Sequence, residues 1–121
     1  MMILVAVMLF GFVANAQEDI SGLWKRPDGL MLKITKNGGN WLVTNSNNGY
    51  DHSGTIKSKG NDFYKGTLER KNKGTGCTTY IAMKFELVDD THLKYNGTGL
   101  DTNCDLPANF TEAHTYTKID D

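Results

Sequence analysis

The segment 77–87, "CTTYIAMKFEL", constrains the fold of this chain more than any other stretch, because its residue types alternate strictly. One set of alternate positions is apolar or small and the other set is mostly polar. Side chains two residues apart lie on the same face of a strand, so this pattern predicts a β-strand with one buried and one wet face. The predicted inward set is Cys77, Thr79, Ile81, Met83, Phe85 and Leu87.

Similar short runs recur along the chain and are separated by turn residues, among them "RPDG", "NGGN" and "VDDT". Threonine favours strands, whereas asparagine and glycine favour tight turns, and all three are abundant after residue 16. No segment shows a helical period over three turns. The sequence therefore predicts an all-β domain, a small eight-stranded antiparallel meander that forms a closed barrel or a sandwich. The predicted strands are 22–25, 30–36, 41–44, 53–59, 62–69, 77–87, 93–97 and 110–119.

The first sixteen residues, "MMILVAVMLFGFVANA", contain no charged side chain and end in a small-x-small pattern. A run this short is below the length of about 20 residues that a membrane-spanning helix needs. We interpret residues 1–16 as a signal peptide and residues 17–121 as one mature domain. The alternative is a short membrane anchor. Signal-peptide cleavage would leave a secreted or periplasmic protein with no stable membrane span.

Two cysteines, Cys77 and Cys104, lie in the predicted mature domain. Secretion would place them in an oxidising compartment, where a disulfide is expected. If strands six and seven form a hairpin around Asp89 and Asp90, the two cysteines lie within bridging distance of each other. A redox pair is the alternative, although the chain has no Cys-x-x-Cys motif.

The motif "GLWKRPDG" near the start and "TYTK" near the end resemble those of small secreted lipocalin-like, or calycin-type, barrels of unknown function. In such folds the tryptophan of Gly-x-Trp closes one end of the barrel, and a cationic side chain of the last strand packs across it. The resemblance implies these structural roles for Trp24 and Lys118. It implies a fold and not a function.

Four large side chains are predicted to converge inside the barrel: Trp41, Met83, Phe85 and Tyr95. They are the candidate ligand-binding residues of a non-enzymatic protein that takes a small apolar or amphipathic ligand. That hypothesis requires a cavity of at least about 300 Å³. The alternative is a barrel filled by its own side chains.

A second hypothesis is a protein-binding module, such as a secreted inhibitor or envelope accessory, that acts through its loops at 45–51 and 70–76. An enzyme is a third possibility, and its only candidates are Glu112 and His114 on the last strand, whose inward face the sequence leaves open. His52 and His92 are expected to be solvated beside turns.

No motif for a cofactor, a metal site or a nucleophile is present, so no cofactor and no metal is expected. The net charge of −1 and the lack of a sustained basic patch argue against a nucleic-acid partner. Asn96 and Asn109 begin glycosylation sequons, which matter only in a eukaryotic source.

Overall fold

A computed structural model describes residues 19–119 as a closed barrel in which each strand pairs antiparallel with the next. The last strand pairs with the first, which closes the sheet. This confirms the predicted all-β, eight-stranded meander and decides for a barrel over a sandwich. The predicted signal peptide, 1–16, lies outside the described residues. The strands are β1 Gly22–Lys25, β2 Met31–Asn37, β3 Asn40–Ser46, β4 Tyr50–Gly60, β5 Phe63–Asn72, β6 Thr78–Asp89, β7 His92–Gly99 and β8 Thr111–Ile119.

The inward face of β6 is buried, as the alternation predicts, whereas Tyr80 and Lys84 on its other face are exposed. Tyr95 on β7 stands opposite Phe85 and is also buried. The apolar inward positions of the other strands complete one continuous core. Its largest fully buried side chains are Trp24, Trp41, Tyr64 and Phe85.

Strands β4 and β5 are longer than the sequence predicts. Their backbones remain paired through Tyr50 and Asn72, so the predicted loops 45–51 and 70–76 are strand at 45–46, 50–51 and 70–72. The true connections are 47–49 and 73–77. The prediction was wrong because asparagine and charged residues usually indicate loops, whereas here their backbones continue the hydrogen-bonded ladder.

Two glycines allow β4 and β5 to approach each other closely. A Cβ atom on Gly66 would lie 1.9 Å from the carbonyl oxygen of Thr55, and one on Gly54 would lie 2.3 Å from that of Thr67. Neither position could hold a side chain without moving backbone. Glycine at these positions lets the sheet bend and close, as strand glycines often do.

One end of the barrel carries the turns at 38–39, 61–62 and 90–91, and the segment before β1 packs against its interior. There the indole nitrogen of Trp24 donates to the carbonyl oxygen of Ile20 at 3.0 Å, and that of Trp41 donates to Asp19 at 3.2 Å. Lys118 is the cross-strand partner of Trp24, and its Nζ lies 5.8 Å from the centre of the indole ring. These contacts fit the packing that the resemblance implies for Trp24 and Lys118.

The disulfide between Cys77 and Cys104 forms as predicted, with the two Cα atoms 5.8 Å apart. It joins the residue before β6 to the short 3₁₀ turn Asn103–Asp105, which follows β7. The bridge therefore anchors the long connection 100–110 beside the other end of the barrel.

Candidate functional site at the barrel mouth

The barrel interior is hollow toward the end that carries the turn 26–29 and the connection 47–49. We call this end the mouth. The pocket there has a volume of about 190 Å³, less than the roughly 300 Å³ that the ligand-binding hypothesis set as its minimum. Its apolar floor consists of Leu32, Val43, Leu68, Met83 and Phe85, and its polar wall includes Arg26, His52, Arg70, Tyr95, Glu112 and His114.

The structure places three of the four candidate ligand-binding residues at this pocket. Met83, Phe85 and Tyr95 line it, whereas Trp41 does not. Trp41 is fully buried near the opposite end, where its ring packs perpendicular to that of Tyr64 at a centroid distance of 5.2 Å. Alternation along β3 identifies Trp41 as inward but does not say at which end of the barrel an inward side chain lies.

An ion pair crosses the barrel interior between β5 and β8. The Nη2 of Arg70 donates to both carboxylate oxygens of Glu112, at 3.0 and 2.8 Å, and the Tyr95 hydroxyl donates to the same carboxylate at 2.7 Å. The Arg70 guanidinium also lies 5.9 Å from the ring centres of both Tyr50 and Phe110. The Arg70 and Glu112 side chains are only 19% and 15% exposed, so the pair is poorly screened by water.

His52 accepts a hydrogen bond at its Nε2 from the Nε of Arg70, at 2.8 Å. Arginine is always protonated and can only donate, so this geometry requires a neutral His52 whose proton is on Nδ1. Burial, and next the positive charge of Arg70, lower the pKa of His52 to about 4. The expectation that His52 is solvated was wrong, because β4 starts earlier than predicted and directs this ring inward.

His114 forms a second pair of the same kind. The Nη1 of Arg26 lies 3.3 Å from its Nε2, so the imidazole is again the acceptor and is neutral. Burial, and next the charge of Arg26, lower the pKa of His114. The ring stacks on Tyr95, with centroids 5.9 Å apart. Arg26 is also held by the carboxylate of Asp28 within the same turn.

The structure shows which face of β8 points into the barrel. Glu112, His114 and Tyr116 face the interior, whereas Ala113 and Thr115 are exposed. Arg26, His52 and Arg70 are not among the predicted site residues. A signal for two of these was present: Arg70 continues the inward series of Leu68, and His52 continues that of Ile56, at a period of two.

Acidification should destabilise the protein through His52. Its pKa is lower in the folded state than the usual 6.5, so the unfolded chain binds more protons between pH 6.5 and about 4. The neutral ring therefore contributes stability above pH 6.5, and this contribution declines as the pH falls toward 4. We expect a loss of about 1–2 kcal/mol between pH 7.5 and 4.5 from this residue, because partial solvation of the ring reduces the full linkage energy.

Urea unfolding of wild type and His52→Gln at both pH values measures this effect. Glutamine can still accept the hydrogen bond from Arg70 but does not titrate in this range. The variant should lose less stability on acidification than wild type. An equal loss in the two proteins would assign the pH dependence to other groups.

Within residues 19–119, no group of three or more His, Cys, Asp and Glu side chains is placed to hold a metal ion. No helix in the same range is long and apolar enough to cross a membrane.

The sequence was also compared with known proteins. A scan against protein-family models finds no match, and neither do searches of curated proteins and of solved structures. What this pocket can bind is therefore inferred from its own side chains.

Proposed function

We propose that this chain is a lipocalin-like, non-enzymatic binding protein that holds a small amphipathic ligand in its barrel pocket. The observation that carries the proposal is the division of the pocket into an apolar floor and a charged mouth. Pockets with mostly apolar walls and a few convergent polar groups are suited to small molecules. The tail of the ligand would pack on the floor, and its head would meet the polar groups of the mouth.

The floor supports the tail-inward orientation. Leu68 and Met83 are 5% and 3% exposed, and they lie on the paired strands β5 and β6, where both line the pocket. A pocket of about 190 Å³ is somewhat larger than a cavity of roughly 150 Å³ that holds benzene. A tail of about six carbons matches this space, and its burial contributes about 0.8 kcal/mol per CH₂ group. Six such groups gain about 5 kcal/mol before the cost of association is subtracted, and we expect a dissociation constant in the millimolar range.

The candidate bases at the mouth already accept hydrogen bonds, which favours binding over catalysis. A general base needs a free lone pair within reach of the proton that it removes. The Nε2 atoms of His52 and His114 are occupied by donors from Arg70 and Arg26. The carboxylate of Glu112 is likewise held by Arg70 and Tyr95.

We further propose that the protein works outside the cytoplasm, in a secreted or periplasmic location. The proposal rests on the signal-like segment 1–16 and on the disulfide between Cys77 and Cys104. Disulfides persist chiefly in oxidising compartments.

Calorimetric titration with 1-hexanol tests the binding function, with a pocket-filling variant for comparison. Leu68→Trp adds volume to the floor of the pocket, whereas Val88→Trp adds the same side chain at a position that is 54% exposed. We expect saturable binding to wild type and Val88→Trp and at least tenfold weaker binding to Leu68→Trp, with circular dichroism showing that all three fold. Apolar burial gives little heat near 25 °C but measurable heat at other temperatures, so the titration is repeated at two temperatures. Wild-type heats equal to dilution heats at both temperatures, up to about 10 mM alcohol, would reject the proposal.

A further inference from the structure

Two guanidinium–imidazole pairs stand at the same barrel mouth, Arg70 with His52 and Arg26 with His114. In each pair the arginine donates to the Nε2 of the histidine, so each pair carries one positive charge and one neutral ring. Both pairs lie in the wall of the proposed binding pocket. From this arrangement we infer that the ligand head is anionic, and that the anion binds together with a proton taken up by His52 or His114.

The charges at the mouth are balanced when the pocket holds no anion. Arg70 is matched by Glu112, and Arg26 is matched by Asp28. An anion brought into this poorly solvated site adds one uncompensated negative charge, which favours the protonated form of any nearby base. The imidazoles of His52 and His114 are such bases, and protonation of one of them restores the balance.

Protonation also frees a donor for the ligand. A protonated imidazole has hydrogens on both nitrogens and cannot accept from arginine, so the Arg70–His52 or Arg26–His114 hydrogen bond must break. The released guanidinium N–H can then donate to the anion. The Nη1 of Arg70 provides a further donor, because it makes no hydrogen bond with any residue of 19–119. Guanidinium groups bind anions through such charge-assisted hydrogen bonds.

The surroundings of both rings determine how strongly the proton and the anion are coupled. His52 is faced by Arg70 on β5, Glu112 on β8, Arg26 in the turn before β2 and its neighbour Asp51, and the Tyr50 ring lies 6.1 Å from it. His114 is faced by Arg26 and Asp28 from that turn, by Glu112 on its own strand and by Arg70. The His114 ring also stacks on Tyr95 of β7 and lies nearly perpendicular to the ring of Tyr116. Around each ring, the positive charges of the two arginines disfavour protonation of the imidazole. A bound anion should offset these charges and raise the pKa of the ring.

This inference rests on the proposed binding function, and a matched pair of test ligands separates the two. Hexane-1-sulfonate is anionic at every pH used, whereas 1-hexanol has the same tail and a neutral head. Calorimetric titrations at pH 5.5 and 7.5, in buffers of different ionisation enthalpy, measure affinity and proton uptake together. We expect the sulfonate to bind at least about fivefold tighter at pH 5.5 and to take up protons, since one fully coupled proton gives tenfold per pH unit.

For 1-hexanol we expect the same affinity at both pH values and no proton uptake. If 1-hexanol binds but the sulfonate does not, or if sulfonate affinity is independent of pH, the inference is wrong while the binding function stands. If neither ligand binds, both proposals fail.

Histidine variants test which groups take up the proton. His52→Gln and His114→Gln should each reduce proton uptake with the sulfonate, and the double variant should abolish it. His92→Gln is the matched control, because His92 is exposed in the turn region at the opposite end of the barrel. Full proton uptake by the double variant would overturn the assignment to these two rings.

Discussion

Replacing Arg70 with methionine should destabilise the protein by about 3 kcal/mol or more, the largest loss expected from a single substitution at the mouth. The change leaves the Glu112 carboxylate, only 15% exposed, with the Tyr95 hydroxyl as its remaining hydrogen-bond donor at close range. Breaking a poorly solvated ion pair from one side is costly because the other charge stays buried. Urea unfolding at pH 7.5 measures the loss.

Two further variants make this prediction specific. Arg70→Met combined with Glu112→Gln removes both charges and should recover much of the loss, because a neutral amide is cheaper to bury than an unpaired carboxylate. Lys73→Met is the control, because it removes an exposed pair with Asp51 at 3.8 Å, together with exposed hydrogen bonds to Ser46 and Asn47, and should cost less than about 1 kcal/mol. Equal losses for Arg70→Met and Lys73→Met would contradict the buried role of the Arg70–Glu112 pair.

Removing the disulfide should lower the free energy of unfolding by a similar amount, roughly 3–4 kcal/mol. Cys77 and Cys104 are 27 positions apart, and closing a loop of that length restricts the unfolded chain substantially. A domain of this size has about 5–15 kcal/mol of stability in total, so the bridge supplies a large share. The measurement is guanidinium unfolding of wild type and of Cys77→Ser with Cys104→Ser.

The same double serine variant should also weaken ligand binding. The bridge anchors the connection 100–110, which places Phe110 against the Arg70 guanidinium at the mouth. Wild type reduced with a thiol is the control and should behave as the serine variant does. A stability loss below about 1 kcal/mol would show that the folded barrel does not depend on this cross-link.

The strands and the disulfide could be predicted because the signals that specify them are local. Alternation in 77–87 identifies the buried face of β6, and turn residues such as "NGGN" mark where the chain reverses. The pairing of Cys77 with Cys104 then follows from one hairpin register. None of these inferences needs two distant segments to be placed relative to each other.

The polar mouth could not be predicted in the same way. The contact between Arg70 and Glu112 joins β5 to β8 across the interior, 42 positions apart in the sequence. Which face of β8 points inward depends on its pairing with β7 and β1, since both faces of that strand have similar polarity. Polar residues also resemble solvated ones in a sequence, so Arg70 is predicted in a loop and His52 is predicted to be solvated beside a turn.

The most direct test of the pocket uses the two methionines of residues 19–119, Met31 and Met83. Met83 is 3% exposed and lies on the pocket floor, whereas Met31 is 38% exposed and does not line this pocket. Nuclear magnetic resonance of methyl-¹³C-methionine protein, titrated with 1-hexanol, follows both positions in one sample. We expect the Met83 methyl signal to shift and saturate while the Met31 signal stays in place. A Met83 signal that does not move up to about 10 mM alcohol, or that moves only as much as Met31, would contradict ligand binding in the barrel.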